Sequence, residues 1–290
     1  MWQISPDLEA KLRSLGNRGD IIKTMHRSMR EAGIDRPAGS FTMFDTAKLN
    51  KRIVGCVAGI GLTDEINDRH YLVVDGIDGK VHYADIGHVA PELLADKGMI
   101  VAVETKVTDG QAQSRVQARI LSYLNLEKLV EADGATWLDK ELLSRKPEYI
   151  VEQGFGEQVN KAISMRRQWL IDNTLANETV QGQFQPSPNL LQQLRQRDLR
   201  QACVALSKEL GLNHVEPLEG QQITGKFTRT TELASGKYAV IQKAKEFVLV
   251  PWQREFERFK GKPIIGTVNG QSISWEWGSE RKKGIGGLAI

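Results

Sequence analysis

The clearest alternation of apolar and polar positions runs from Gln222 to Trp277. In Ile223-Thr-Gly-Lys-Phe227, residues Ile223, Gly225 and Phe227 share one side, because successive residues of an extended strand point to opposite faces. Lys237-Tyr-Ala-Val-Ile241 and Glu246-Phe-Val-Leu-Val250 are short runs rich in β-branched or aromatic residues and predict two more strands. Pro251 stops the third strand, and Trp252–Phe259 predicts a short helix with Trp252, Phe256 and Phe259 on one face. Ile264–Val268 and Ile273–Trp277 are joined by Asn269-Gly270, a strong hairpin signal. An isolated hairpin could not hide this much apolar surface, so the stretch predicts a small, strongly curved β-barrel.

The same plan is visible earlier. Val54-Gly55 matches Thr224-Gly225, Leu62 matches Leu233, Tyr71-Leu-Val-Val74 matches Tyr238-Ala-Val-Ile241, and Val81-His-Tyr83 matches Phe247-Val-Leu249. Arg52–Val107 therefore reads as a first copy of the barrel. Two copies at so long a period mean duplication of a unit, not an array.

Around these units the periodicity is helical. Ser5-Pro6 starts a helix with Leu8, Leu12 and Leu15 on one face, and Asp20 caps a second that carries Ile21, Ile22, Met25 and Met29 and stops at Gly33. Residues 34–50 read as a linker. Within the first barrel, Asp64–His70 is a polar loop, Asp78-Gly79 a hairpin turn, and Met99–Val103 a buried strand. Helices are predicted over Leu121–Ala132, Thr136–Ser144 and Glu157–Leu175, with Lys161, Arg166 and Arg167 off the apolar face of the last. After a loop at Glu178–Pro186, a long helix starts at Ser187-Pro188, turns Leu191, Leu194, Cys203, Leu206 and Leu210 inward and ends at Gly211. The fold class is α+β: two small curved β-barrel-like units joined by a helical segment. The expected boundaries are residues 1–50 for the N-terminal helices and linker, 51–118 for the first barrel, 119–215 for the helical domain, and 216–290 for the second barrel with a basic tail.

Composition narrows the class without changing this picture. With 290 residues, 40% apolar and 26% charged, the chain is globular in composition and long enough for several cores. No apolar run approaches about 18 residues, so no membrane insertion is expected. Cys56 and Cys203 are the only cysteines and read as two buried thiols in a reducing, cytoplasmic setting. The net charge of +3 is unevenly spread: residues 220–290 hold twelve Lys and Arg against six Asp and Glu, a net +6, leaving −3 for the remainder. Such a local excess attracts phosphate, although it also suits a merely solubilising surface.

Few chemistries are supported. Among the histidines only His82 and His88 cluster with a carboxylate, Asp85, and on a strand His82 and Asp85 point to opposite faces. No metal ligand set, cofactor site or catalytic residue is assigned: Gly59-Ile-Gly61 is followed by Asp64 where a dinucleotide fingerprint needs glycine. Asp64, Glu65 and Asp68 read as loop solubility. What remains is a binding surface. Arg195, Arg197 and Arg200 form one cationic row on the long helix, and Lys243, Lys245, Arg254, Arg258 and Lys260 surround the second barrel. Aromatics interleave with these cations, as on single-stranded nucleic-acid platforms, but a stripe such as Ile273, Trp275 and Trp277 is more often core.

Several segments resemble the C-terminal region of conjugative relaxases, the virulence-type mobilisation nucleases of plasmids and integrative elements, which end in a domain of unknown function. These are Tyr71-Leu-Val-Val-Asp-Gly-Ile-Asp-Gly-Lys-Val-His-Tyr83, Gly134-Ala-Thr-Trp-Leu-Asp139, Leu233-Ala-Ser-Gly-Lys-Tyr-Ala-Val-Ile241 and Phe247-Val-Leu-Val-Pro-Trp252, with a Ser-Trp-Glu ending. The resemblance runs from about Leu8 to Ile285. It implies a bacterial, cytoplasmic setting: nicking at a transfer origin and delivery through a type IV secretion channel. The family's nuclease domain, with its nucleophilic tyrosine and metal-binding histidines, lies N-terminal to this region, and nothing here matches it. The expectation is therefore a non-catalytic accessory region, either a piece of a longer protein or a shorter product from an internal start. Its expected partners are DNA, single- or double-stranded, and the coupling protein or relaxosome proteins; the alternative is a protein-docking module that does not bind DNA.

Overall fold

Two six-stranded sheets organise the chain. The structure is a computed structural model that describes residues 18–44, 52–90, 94–107, 114–145, 148, 150–269 and 272–276. The helix predicted from Ser5, Gly270 of the predicted Asn269-Gly270 hairpin, Trp277 and the basic tail lie outside these residues. The chain divides into two compact units, Met1–Asp198 with Leu233–Gly236, and Leu199–Glu232 with Lys237–Ile290.

Unit 1 begins with helix α1 (Arg18–Glu31), which starts two residues before the predicted cap, so Asp20 sits in the first turn; Gly33, at φ 69°, ends it. The predicted linker contains a strand, β1 (Phe41–Met43), followed by β2 (Arg52–Asp64), β3 (Arg69–Gly76), β4 (Val81–His88), β5 (Ile100–Val107) and β6 (Ser114–Ser122). Their order is β1-β4-β3-β2-β5-β6, antiparallel except for β1 beside β4. One face forms an interior shared by Ile53, Val57, Leu72, Val74, Ala84, Val101 and Val116. Residues of β4 and β6 meet there although three strands separate them in the order, so the sheet is strongly curled. Strand order among the described residues leaves it unclosed.

The outer face of this sheet is covered twice. Ala58, Tyr71, Val73, Val81 and Tyr83 pack with Met25 and Met29 of α1. Val54, Ile100 and Ala102 pack with residues of α2 (Leu126–Glu131), α3 (Trp137–Leu142) and α4 (Gly154–Asp172). With both faces buried, β2, β3 and β5 lack the alternation of a half-exposed strand, as expected for central strands. Strand β6 occupies the start of the helix predicted from Leu121; the helix begins only after Asn125, whose side chain caps it by accepting from Lys128 N–H at 3.1 Å. The predicted loop at Glu178–Pro186 is a small hairpin of β7 (Ala176–Glu178) and β8 (Phe184–Pro186). The long helix α5 runs from Leu190 to Leu210, and the division between units falls within it.

Unit 2 repeats the plan. Strands β9 (Asn213–His214), β10 (Gln222–Leu233), β11 (Gly236–Lys243), β12 (Glu246–Pro251), β13 (Pro263–Asn269) and β14 (Ser272–Glu276) take the order β9-β12-β11-β10-β13-β14. Strand for strand this is the order of unit 1, including a short parallel edge strand, β9 beside β12. Ile223, Phe227, Ala239, Ile241, Val250, Phe256, Ile264 and Val268 fill its interior, with Trp252, Phe259, Ile273 and Trp275 packed against them. The predicted Trp252–Phe259 helix is a 3-10 helix over Arg254–Phe259, whose three-residue period aligns Phe256 with Phe259.

The duplication extends to single atoms. A Cβ on Gly55 would lie 2.3 Å from the Asp75 carbonyl and 2.7 Å from Val74 Cγ1; on Gly225 it would lie 2.7 Å from the Gln242 carbonyl and 2.8 Å from Ile241 Cγ2. Only glycine allows that approach at either position. Gly98 N–H donates to Val57 O and Gly261 N–H to Phe227 O, both at 2.8 Å, and both glycines take positive φ.

Candidate functional site

The basic residues singled out from sequence fall in three places. Lys243 and Lys245 are exposed in the β11–β12 turn, where Ala244 takes the left-handed conformation at φ 50°. Arg254, Arg258 and Lys260 are exposed on and after the 3-10 helix that follows β12. Six residues of extended chain separate Lys245 from Pro251, about 20 Å, so β12 holds these two groups apart. On a three-residue period Arg254 and Lys260 align with Glu257, and Arg258 aligns with Glu255, so acids interrupt this second group. Arg195 and Arg200 are exposed on α5, while Arg197 faces Asp133 at 3.5 Å.

The aromatic rings of unit 2 are turned inward. Phe227, Phe247 and Phe256 are at most 1% exposed, Tyr238 is buried, and Trp252, Phe259 and Trp275 are half-buried against the interior. Phe256 meets Trp275 edge-on at 4.9 Å, and Trp252 donates its indole N–H to Glu257 at 3.0 Å under the ammonium of Lys237. Phe227, Tyr238, Phe247 and Phe256 are too deeply buried to stack on a base, and Trp252, Phe259 and Trp275 keep only part of their surface at the solvent. The cations are at the surface and the rings are core.

In unit 1 the structure assembles a polar network that the sequence pattern missed. Arg36, inside the predicted linker, donates to both carboxylate oxygens of Asp75, at 3.3 and 2.7 Å, and Asp75 is fully buried. Burial still raises the Asp75 pKa, the guanidinium opposing it only in part. Beside it, His82 Nε2 lies 3.0 Å from both oxygens of Asp78, whose pKa is lowered: burial, the largest single effect, raises it, but the hydrogen bonds and charges of His82 and Lys80 together outweigh that. The β3–β4 hairpin turn explains the pairing, since it folds His82 back over Asp78. Asp85 instead binds Arg69 at 2.9 Å and His88 faces Asp68, so the three residues weighed as a cluster part company. Among the described residues no three His, Cys, Asp or Glu side chains gather as a metal site. Next to Arg36 a cavity of about 480 Å³ is lined by His26, Met29, Arg30, Ile34, Asp35 and Phe41.

A second buried centre explains the Gly134-Ala-Thr-Trp-Leu-Asp139 segment. Arg166, expected off the apolar face of its helix, is fully buried. Its five N–H groups go to Asp139 at 2.8 and 2.9 Å and to the carbonyls of Val130, Ala132 and Gly134 at 3.0, 2.7 and 3.0 Å. Asp139 also accepts from the Thr136 N–H and hydroxyl, closing a capping box at the start of α3. Every donor is satisfied, so the arrangement clamps a loop and leaves no group to react. Both thiols are free and burial pushes each to about 11, which keeps them protonated and unreactive near neutrality.

Fold and surface together define an α+β scaffold built from a duplicated curled-sheet unit, with exposed cations on both copies. The chain belongs to the family described as protein of unknown function (DUF3363), which it matches over residues 1–113 and 105–286. No curated protein matches it.

Proposed function

We propose that this chain is a non-catalytic accessory region of a conjugative relaxase, and that it binds DNA near the transfer origin while its barrel-like units also present surfaces to transfer-machinery proteins. The observation that carries the reading is the exposure of Lys243, Lys245, Arg254, Arg258 and Lys260 on unit 2, with Arg195 and Arg200 on α5. The relaxase resemblance supplies the setting: a bacterial cytoplasm, a nuclease domain on the N-terminal side and a type IV secretion channel. No helix among the described residues is long and apolar enough to cross a membrane, which agrees with that setting. Affinity for labelled oligonucleotides, measured by fluorescence anisotropy at several salt concentrations, tests it. Binding through phosphate weakens steeply with salt because each neutralised phosphate releases counterion. Absence of binding at low salt overturns the DNA reading.

A second reading, a protein-docking module, is favoured by the inward rings of unit 2, which remove the stacking energy of a single-strand platform. Retention of a coupling protein or nuclease domain by a chain that does not bind DNA would establish it.

A further inference from the structure

Helix α1 of unit 1 presents three different surfaces. At 3.6 residues per turn, Lys23, Arg27 and Arg30 form one exposed ridge, opposite Met25 and Ser28, which are buried. His26 and Met29 lie on one flank of this ridge, and Asp20 and Glu31 on the other. Both acids are engaged: Lys97 donates to Glu31 at 2.7 Å, and Asp20 stands 3.9 Å from Lys23. Arg27 and Arg30 make no ion pair among the described residues, so the ridge keeps a positive charge. From Lys23 to Arg30 it extends about 10 Å along the helix axis.

The flank that holds His26 and Met29 borders the cavity of about 480 Å³, a volume in the range of sites that enclose small ligands. Gly33 ends the helix, and the residues after it, Ile34, Asp35 and Arg36, line the cavity together with Phe41 of β1. Met29, Ile34 and Phe41 give it an apolar lining, and the His26 ring lies 4.4 Å from that of Phe41, centre to centre. Arg30 belongs to both features, standing on the ridge and lining the cavity. Arg36 is fixed by the buried Asp75 and donates its Nη1 hydrogen to Asp35 O at 3.0 Å. Asp35 is the one carboxylate of the lining, and it is exposed. An apolar recess with a ring in its wall therefore adjoins a row of cations, and Arg30 joins the two.

We propose that this cavity takes one unstacked base of a single nucleic-acid strand, whose neighbouring phosphates lie on the Lys23–Arg27–Arg30 ridge. The inference rests on the DNA-binding reading and adds to it a second site, on unit 1. A nucleic-acid strand supplies in each repeat the two things the surface asks for, a flat ring with apolar faces and a negative charge beside it. Ring contacts in a cationic groove are how single strands are held. A carboxylate at the rim suits a base as well, since Asp accepts from an exocyclic amino group. A base within a duplex is stacked and paired, and extruding it is costly, so the cavity selects single strands. An acidic peptide matches the ridge but brings no ring to the recess.

The test is anisotropy of labelled oligothymidylate, and of the same strand made abasic, with the whole chain between about 50 and 200 mM salt. One seated base predicts that the strand with bases binds about 5- to 150-fold tighter. His26→Ala should shrink that ratio, and so should Arg30→Gln, an exposed position whose change leaves the core alone. Lys23→Gln with Arg27→Gln should lower the salt slope by about 1.4, at about 0.7 for each phosphate of a single strand. Lys128→Gln with Lys161→Gln, exposed lysines elsewhere on unit 1, should leave the slope unchanged. Equal affinity for the two strands, or a ratio and slope indifferent to the α1 variants, overturns this site and spares the DNA reading. Full displacement by millimolar thymidine monophosphate would give the cavity to a free nucleotide and overturn the strand. A chain that binds no oligonucleotide at low salt, or prefers polyglutamate, overturns both readings. Circular dichroism of each variant confirms that folding is intact.

Discussion

Replacing Arg166 by methionine keeps the volume of the side chain and removes all five donors. Its consequences can be worked from the contacts. Asp139 would stay fully buried without its counter-charge, and breaking one half of a buried pair costs about 3–5 kcal/mol. The carbonyls of Val130, Ala132 and Gly134 would lose their donors as well, at about 1–3 kcal/mol for each left unsatisfied. Relaxation and water entry make these costs less than additive, so at least about 4 kcal/mol should be lost, against about 5–15 kcal/mol for a whole domain. The double variant Arg166→Met, Asp139→Leu removes both charges and should recover part of the loss, with a coupling energy of about 1–3 kcal/mol. Urea unfolding followed by tryptophan fluorescence is suited to the measurement, because Trp169 lies 4.2 Å beneath the guanidinium. A loss below about 1 kcal/mol for the single variant, or strictly additive losses, would refute the clamp.

Other expectations follow from particular contacts. Gly55→Val and Gly225→Val should each destabilise their own unit by about 1–3 kcal/mol through overpacking against backbone, measured by urea midpoints; tolerance of either would break the equivalence of the two copies. Trp275→Ala should cost about 3 kcal/mol, the low end for a buried tryptophan, since the ring is half-buried over Gly266 and against Phe256; unchanged melting would place the ring outside the core. Burial raises the pKa of Asp198, which accepts from Ser235 N–H at 2.7 Å, above its ordinary 3.8. An acid with a raised folded pKa favours the fold below its unfolded value and loses that contribution as pH rises through the folded value. The wild type should therefore gain stability relative to Asp198→Asn as pH falls from 7 toward 4, and a gap that is constant with pH would contradict the burial.

Much of unit 2 is legible in the sequence because its strands keep one exposed or polar side. Ile223, Phe227, Ile264 and Val268 alternate with polar residues, so period and face are read together. The repeat was legible too, through Gly55 and Gly225, whose role is steric and does not depend on neighbouring composition. Helix α5 and its end at Gly211 followed from the same kind of local signal. Unit 1 was harder at its margins. Strand β1 has three residues and exists because β4 offers it an edge, a tertiary cause that no local pattern announces. The sequence pattern puts Arg166 off the apolar face of its helix and Arg36 inside a linker; their placement depends on Asp139 and Asp75, 27 and 39 residues away along the chain. An aspartate inside an otherwise apolar strand, as at Asp75, was the available hint that a distant cation had to be found. The surface lysines were visible singly, but which side of the sheet each takes is set by register across β10, β11 and β13.

The central claim is that the second copy of the duplicated fold carries the exposed cations through which the chain is proposed to bind DNA. Hydrogen exchange of the whole chain with and without duplex DNA at low salt tests this directly. Slower exchange in unit 2, at the Lys243–Glu246 turn and along Arg254–Lys260, is the predicted result. Protection on β2 and β5 in place of these, or no change anywhere, would contradict the account.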